Sequence, residues 1–341
     1  MEPKITTIIT TYRRPHLLKK AIESVLSQTY PDFQVCICDN ASNDETSEIA
    51  KDFIKIDKRV KYFCHEANIG MLANYQFGLS LINTEFFSFL SDDDVLLPHF
   101  YETALQEFKK YPEAGLVAGS TIIRTEKGEI IRVPLSSWKR EGKFDPPEGV
   151  LEMVGKYPVP TSVLFRKKAT ESIVIDSENP TFWDCDYLLK IASSFPIVIS
   201  KKPCALFRVH PSSYSNRQQL TVQEDAFFKL INNIRNNKNL SVENSKLTEN
   251  LILLDLAYCR LHYVYPYLKQ KNFDEAYRIA RLVGQNPSLK SRVLVYFYII
   301  KLCKLFPFAI FFLNLIKIIK RSIKIRRFFT KSVNKEYSIK L

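Results

Sequence analysis

The strongest constraint on this chain is an alternation in its N-terminal third, where short β-branched or aromatic runs, each closed by a polar cluster, are separated by segments of helical periodicity. Ile5 to Thr10 has the pattern of a buried strand and runs into Thr11, Tyr12, Arg13, Arg14 and Pro15. Leu17, Leu18, Ala21, Ile22, Val25 and Leu26 then recur at helical spacing until Tyr30 and Pro31 stop the helix. Phe33 to Cys38 predicts a second strand, ending at Asp39 to Asp44, and a helix follows from about Glu45 to Ile56 with Asp44 as N-cap. Val60 to Cys64 predicts a third strand and Met71 to Leu81 a helix. Phe86 to Leu90, the fourth strand, ends on Ser91, Asp92, Asp93 and Asp94. This order predicts an α/β fold, a Rossmann-like, mostly parallel sheet flanked by helices. Ligands of such sheets bind beyond the carboxyl ends of the strands, where the clusters after Ile9, Cys38 and Leu90 should converge.

Further along, Gly115 to Ile123 reads as a strand, Pro134 to Pro147 as a long loop, and Val163 to Arg166 and Ile197 to Ile199 as short strands with a helix from about Asp184 to Ser193 between them. Leu206 to His210 precedes a polar stretch. We therefore expect a catalytic domain over residues 1–219, a helical appendage over 220–290 and a basic, amphipathic tail over 291–341.

Charge separates these parts. The chain of 341 residues carries a net +13, yet from Ala276 onward there are 15 Lys or Arg against the single acid Glu336, so the body is close to neutral. Nine glycines and no repeat argue against solenoid or disordered architectures. The seven cysteines are odd in number and lack a C-x-x-C spacing, which disfavours a disulfide framework or a zinc site. With no secretory pattern at the N-terminus, the expected location is cytoplasmic.

Three consecutive aspartates at the end of a buried strand repel one another unless a cation sits among them, and carboxylate oxygens suit Mg²⁺ or Mn²⁺. The competing interpretation is a solvated acidic turn that caps a helix. The surrounding motifs decide between them. Thr7 to Arg14, Leu18 to Tyr30, Val35 to Thr46, Asn68-Ile69-Gly70 and Phe89 to Pro98, in this order and spacing, resemble the family 2 glycosyltransferases, inverting enzymes of the GT-A fold, over about residues 3 to 215.

The resemblance implies a donor site. Thr10 and Tyr12 would line the nucleobase pocket, with Arg14 in the same motif, and Asp39 would accept a hydrogen bond from the base. Asp39 has an alternative role in an Asx-turn with Ser42, and Asn68, also placed on the donor, has one in a simple turn. Asp92 and Asp94 match the D-x-D positions, Asp92 near ribose and metal and Asp94 as metal ligand, with Asp93 able to share either role. Ser91 stands where many relatives have a further aspartate. Asp184, in the segment resembling the family's acidic motif, would be the catalytic base, with Trp183 in place of the more usual Glu; Asp186 is the alternative base. Arg208 and His210 resemble the closing R-x-H segment, Arg208 reaching the diphosphate and His210 the phosphate or metal.

In the tail, Leu305 to Ile316 is uncharged but too short to span a membrane, and the helix after Pro307 would set Lys317, Lys320, Arg321 and Lys324 against Leu315, Ile318, Ile319 and Ile323. Such a helix binds an anionic membrane surface in plane; packing on the protein's own core is the other reading. Nucleic acid is not an expected partner.

The resemblance implies a metal-dependent, inverting transferase that moves a sugar from a nucleotide diphosphate, a UDP-sugar favoured, to a hydroxyl of a lipid-linked glycan. It would work in surface polysaccharide assembly, peripheral on the inner face of the cell membrane. A binding protein of the same fold that has lost turnover, with Trp183 and Ser91 as its marks, is the alternative.

Overall fold

A computed structural model describes residues 3–209, 219–286 and 289–306. These divide into two compact units, one of residues 3–209 with 237–244, the other of residues 219–236 with 245–306.

The first unit alternates as its hydrophobic pattern requires: β1 (Ile5–Thr11), α1 (Pro15–Leu26), β2 (Phe33–Asp39), α2 (Thr46–Ile56), β3 (Val60–Cys64), α3 (Met71–Ser80) and β4 (Phe86–Ser91). It continues with β5 (Val95–Leu96), α4 (Phe100–Lys110), β6 (Leu116–Thr125), β7 (Ile130–Arg132), β8 (Gly142–Phe144), α5 (Glu148–Met153), β9 (Val163–Arg166), α6 (Trp183–Ser194) and β10 (Ile197–Val209). One ten-stranded sheet runs in the order β3, β2, β1, β4, β9, β6, β10, β5, with β7 on β6 and β8 on β10.

Register explains the site. β1 is central and parallel to both neighbours, so Thr10 stands opposite Cys38 and Ser91, and Thr11 opposite Asp39. Three polar chain segments therefore leave the sheet at one edge. Ile5, Ile9, Leu18, Ile22, Val35, Ile37 and Phe100 form the core beneath, and each such side chain contributes about 1.5–3 kcal/mol on burial. On the other side α3 rests directly on β1 at Gly78, where an added Cβ would collide with Ile8.

The parallel order expected of the sheet holds for β1 to β4 and for β6 with β10, while β9 enters antiparallel between β4 and β6. A parallel neighbour needs a helix-length crossover. The chain instead reaches β9 through a 3₁₀ turn, Pro160–Ser162, and enters the sheet at the end where β4 leaves it.

Two further readings change. The short strand expected at Ile197 to Ile199 runs on to Val209 as β10, bulged around Pro203, which has no N–H to give to the ladder. The segment expected as a long loop, Pro134 to Pro147, holds a 3₁₀ turn and β8. Trp138 anchors it, 2% exposed, with its indole N–H donating to the Lys156 carbonyl at 2.8 Å.

The second unit is helical, built from α7 (Leu220–Arg235), most of α8 (Val242–Lys269), α9 (Phe273–Gly284) and α10 (Lys290–Leu305). Leu261, Val264, Leu268, Ala276, Ile279, Val283, Val293 and Ile300 form its own core. Among the described residues no helix is long and apolar enough to cross a membrane. The amphipathic helix expected after Pro307 lies outside the described residues.

Candidate active site

The loops after β1 and β2 are tied to each other. Ser42 donates its backbone N–H and its hydroxyl to Asp39 Oδ1 at 3.0 and 2.5 Å, and its Oγ accepts the Arg13 N–H at 2.9 Å. Arg13, Ala41 and Asn43 hold left-handed backbone conformations, with φ of 54°, 60° and 53°, which non-glycine residues keep only where their surroundings impose them. Asn40 and Asn68 extend the network. The Asn40 amide donates to Asn68 Oδ1 at 3.0 Å and accepts the Ile69 N–H at 2.8 Å.

Beyond this edge lies a cavity of about 520 Å³, within the usual range for a small-molecule site. Thr10, Tyr12, Arg14, Asn68, Asp92, Asp93 and Asp184, seven residues expected at the site, all line it. Tyr12 is 38% exposed there, with the Arg13 guanidinium 5.1 Å from its ring centroid.

The acids are arranged in depth. Asp92 accepts the Thr11 hydroxyl at 2.9 Å and Arg14 Nη1 at 3.1 Å, and the same Arg14 nitrogen donates to Asp93 at 2.9 Å. Burial pushes the Asp92 carboxyl up to about 6, with Arg14 opposing the shift and Asp93 adding to it. Asp94, 1% exposed, lies outside the lining; it accepts the Thr161 hydroxyl at 2.5 Å and the Arg208 N–H at 3.2 Å. Burial, then repulsion from Asp93, holds it well above the usual carboxylate range. A divalent cation beside these carboxyls would favour their ionised form. Among the described residues no group of three or more His, Cys, Asp or Glu converges as a complete metal cage. Asp92 and Asp93 do present carboxylate oxygens to the cavity, the ligand type that Mg²⁺ and Mn²⁺ take in ones or twos.

Asp39 is also outside the lining. Its second oxygen accepts the Tyr62 hydroxyl at 2.6 Å, so together with Ser42 the local Asx-turn role is realised. Arg208, likewise outside the lining, meets the site through its backbone contact with Asp94. His210 lies outside the described residues.

The two candidate bases separate. Asp184, in the first turn of α6, is half-buried in the cavity wall; burial raises its pKa against a 2.9 Å hydrogen bond from the Cys185 N–H. Asp186, two residues on and 2% exposed, is paired with Lys190 at 2.5 Å instead.

Sequence reasoning passed over Thr161, Asn40 and Tyr75. The signal for Thr161 was the Pro158-Val159-Pro160 run that brings the chain into β9 beside Asp94. Tyr75 packs its ring on Trp183, centroids 4.7 Å apart, which makes the residue in place of the usual Glu a wall of the cavity.

The sheet is of α/β type, with its parallel strands ending at a carboxylate-lined cavity, and known proteins of GT-A fold share this architecture. The family model for glycosyl transferase family 2 matches residues 6–174. A GalNAc(5)-diNAcBac-PP-undecaprenol beta-1,3-glucosyltransferase of Campylobacter jejuni is 36% identical over 106 residues, 31% of this chain and 34% of that one. Protein CgeD of Bacillus subtilis is 34% identical over 143 residues, 38% of this chain and 33% of that one. The matched region thus spans about a third of the length of either relative. In fold, the chain resembles the crystal structure of S. aureus TarS 1-349 in complex with UDP-GlcNAc, with a TM-score of 0.63 at 13% identity over 88% of this chain and 91% of that one. It also resembles the mannosyltransferase PcManGT of Pyrobaculum calidifontis in complex with GDP-Man and Mn²⁺, with a TM-score of 0.55 at 13% identity over 90% and 88%. Residues 6–174 of the chain are a glycosyl transferase family 2 domain.

Proposed function

We propose that this protein transfers a sugar, with inversion, from a nucleotide diphosphate to a hydroxyl of a lipid-linked glycan during surface polysaccharide assembly. The observation that carries the reading is the meeting of Asp92 and Asp93 with Asp184 in one cavity of about 520 Å³. A UDP-sugar is favoured because the fold is shared with a structure that holds UDP-GlcNAc, and the lipid-linked acceptor follows the Campylobacter relative, whose name carries an undecaprenol diphosphate.

Tyr12 offers its exposed ring to the base, on loops held by Asp39, Ser42 and Asn40. Arg14 orients Asp92 and Asp93. Asp92 and Asp94, with Asp93 beside them and His210 as a further ligand, are the residues proposed to hold Mn²⁺ or Mg²⁺. The chemistry such an ion supplies is charge neutralisation at the departing diphosphate. Asp184 takes the proton of the acceptor hydroxyl, and its raised pKa suits a base that must first be ionised and then accept. Trp183 and Tyr75 keep water from that side of the cavity. The proposed setting is the cytoplasmic face of the membrane, with the C-terminal tail on anionic lipid.

The test is a thermal-shift screen of UDP- and GDP-sugars with and without Mn²⁺, followed by transfer to a polyprenyl-diphosphate-linked glycan. Stabilisation by a nucleotide-sugar with metal, and product formation lost in Asp184→Asn, is the expected result. Binding without transfer to any acceptor would select the turnover-deficient reading, and no nucleotide binding would overturn both.

A further inference from the structure

We infer that the exposed face of α10, together with the groove it forms against α9, is a docking surface for an anionic lipid bilayer. The inference rests on the membrane setting proposed above and places the contact on α10 itself; it does not depend on the transferase reading. α10 buries Val293, Ile300 and Cys303 in the core of the second unit. It leaves Leu294, Val295, Tyr298, Leu302 and Leu305 exposed, Tyr298 at 76% and Leu305 at 63%. At 100° and 1.5 Å per residue, these five fall within an arc of about 100° and a length of about 16 Å, a continuous apolar stripe on the side away from the core. Beside it a groove of about 540 Å³ is walled by Tyr277 and Phe297, whose stacked rings lie 4.7 Å apart, and rimmed by Lys301 and Lys304 against the single lining acid Asp274. A stripe of this kind on a soluble helix marks a binding surface.

Charge selects the occupant. The chain beyond α10, residues 307–341, carries nine Lys or Arg against one acid, so folding it back would set like charges against Lys301 and Lys304. A second copy meeting this face symmetrically brings the same cations together. An anionic bilayer accepts the apolar stripe at the acyl boundary and the lysines at its headgroups, and it attracts the cationic segment that follows.

The experiment is flotation of the full chain with vesicles of phosphatidylcholine, alone or with about a third phosphatidylglycerol. Wild type should float with the anionic vesicles. Lys301→Gln and Lys304→Gln should each lower partitioning about fivefold, and Tyr298→Ser combined with Leu302→Ser and Leu305→Ser about tenfold or more. Melting temperature and the circular dichroism spectrum serve as fold controls. Because the tail also carries charge, Tyr298→Trp is read with brominated lipids, whose quenching of the new indole reports contact at α10 itself. Flotation of the triple variant at the wild-type level, absence of quenching, or no flotation of wild type would overturn the proposal. Concentration-dependent dimerisation that the triple variant abolishes would assign the face to a second copy instead.

Discussion

Replacing Asp184 by Asn removes the proposed base and keeps the shape of the side chain, and the structure says that activity and stability should move in opposite directions. A positioned general base is worth about 10²–10⁴ in rate, or about 3–5.5 kcal/mol of transition-state stabilisation. In Asp184→Asn, kcat should fall by that factor while KM for the donor changes little, because the loop and carboxylate contacts of the donor pocket are untouched. The folded pKa of Asp184 is raised by burial, above its value in the unfolded chain. Below the unfolded pKa both states hold the proton and the fold bears no cost. As pH rises toward the folded pKa the unfolded chain ionises first, so stability is lost, and the loss persists at neutral pH. Asn never ionises, so the variant should melt at or above the wild-type temperature at pH 7. The wild-type rate should fall on the acid side as Asp184 takes up its proton, with a limb of unit slope that lies above the ordinary aspartate range. Stopped assays of transfer from a radiolabelled nucleotide-sugar, paired with melting curves over pH 4 to 8, give both readings. A kcat within threefold of wild type, or a variant that melts lower and no longer binds donor, would refute the reasoning.

The carboxylate cluster makes a second prediction: Asp92→Asn and Asp93→Asn should each weaken Mn²⁺-dependent nucleotide binding at least tenfold by calorimetry, and unchanged metal dependence would remove them from the site. Asp186→Asn strands Lys190 without its carboxylate and should destabilise the fold by about 1–3 kcal/mol with kcat per folded molecule unchanged; a rate loss matching that of Asp184→Asn would make Asp186 the base. Gly78→Ala drives a methyl group into Ile8 and should cost about 1–3 kcal/mol by denaturant titration. A neutral result would mean that α3 shifts freely over β1.

The first four strands and their helices were legible because hydrophobic period and turn residues agree there, and β1, carrying Ile5, Ile8 and Ile9, was recognisable as a buried centre. Once the order of these strands was known, the polar segments after them had to meet, which placed Thr10, Tyr12, Arg14, Asp92 and Asp93 together. The second half was less legible. The path to β9 carries its information in a proline turn without hydrophobic period, and Lys201 and Lys202 interrupt β10 at its bulge, so the strand was read only as far as Ile199. Depth was invisible too: a run of three aspartates does not say which one lies at the surface, and only the contacts of Thr161 and Arg208 show that Asp94 lies below the other two.

The antiparallel entry of β9 has a mechanical consequence. Its four residues are the seam of the sheet, with Phe165 paired to Phe87 on one side and to Leu116 on the other, so β1 and β4, which end at the cavity, and β6 and β10 share one hydrogen-bonded fabric. The turn that begins this seam also holds Thr161 against Asp94. The carboxylate cluster and the joint of the sheet thus stand one hydrogen bond apart.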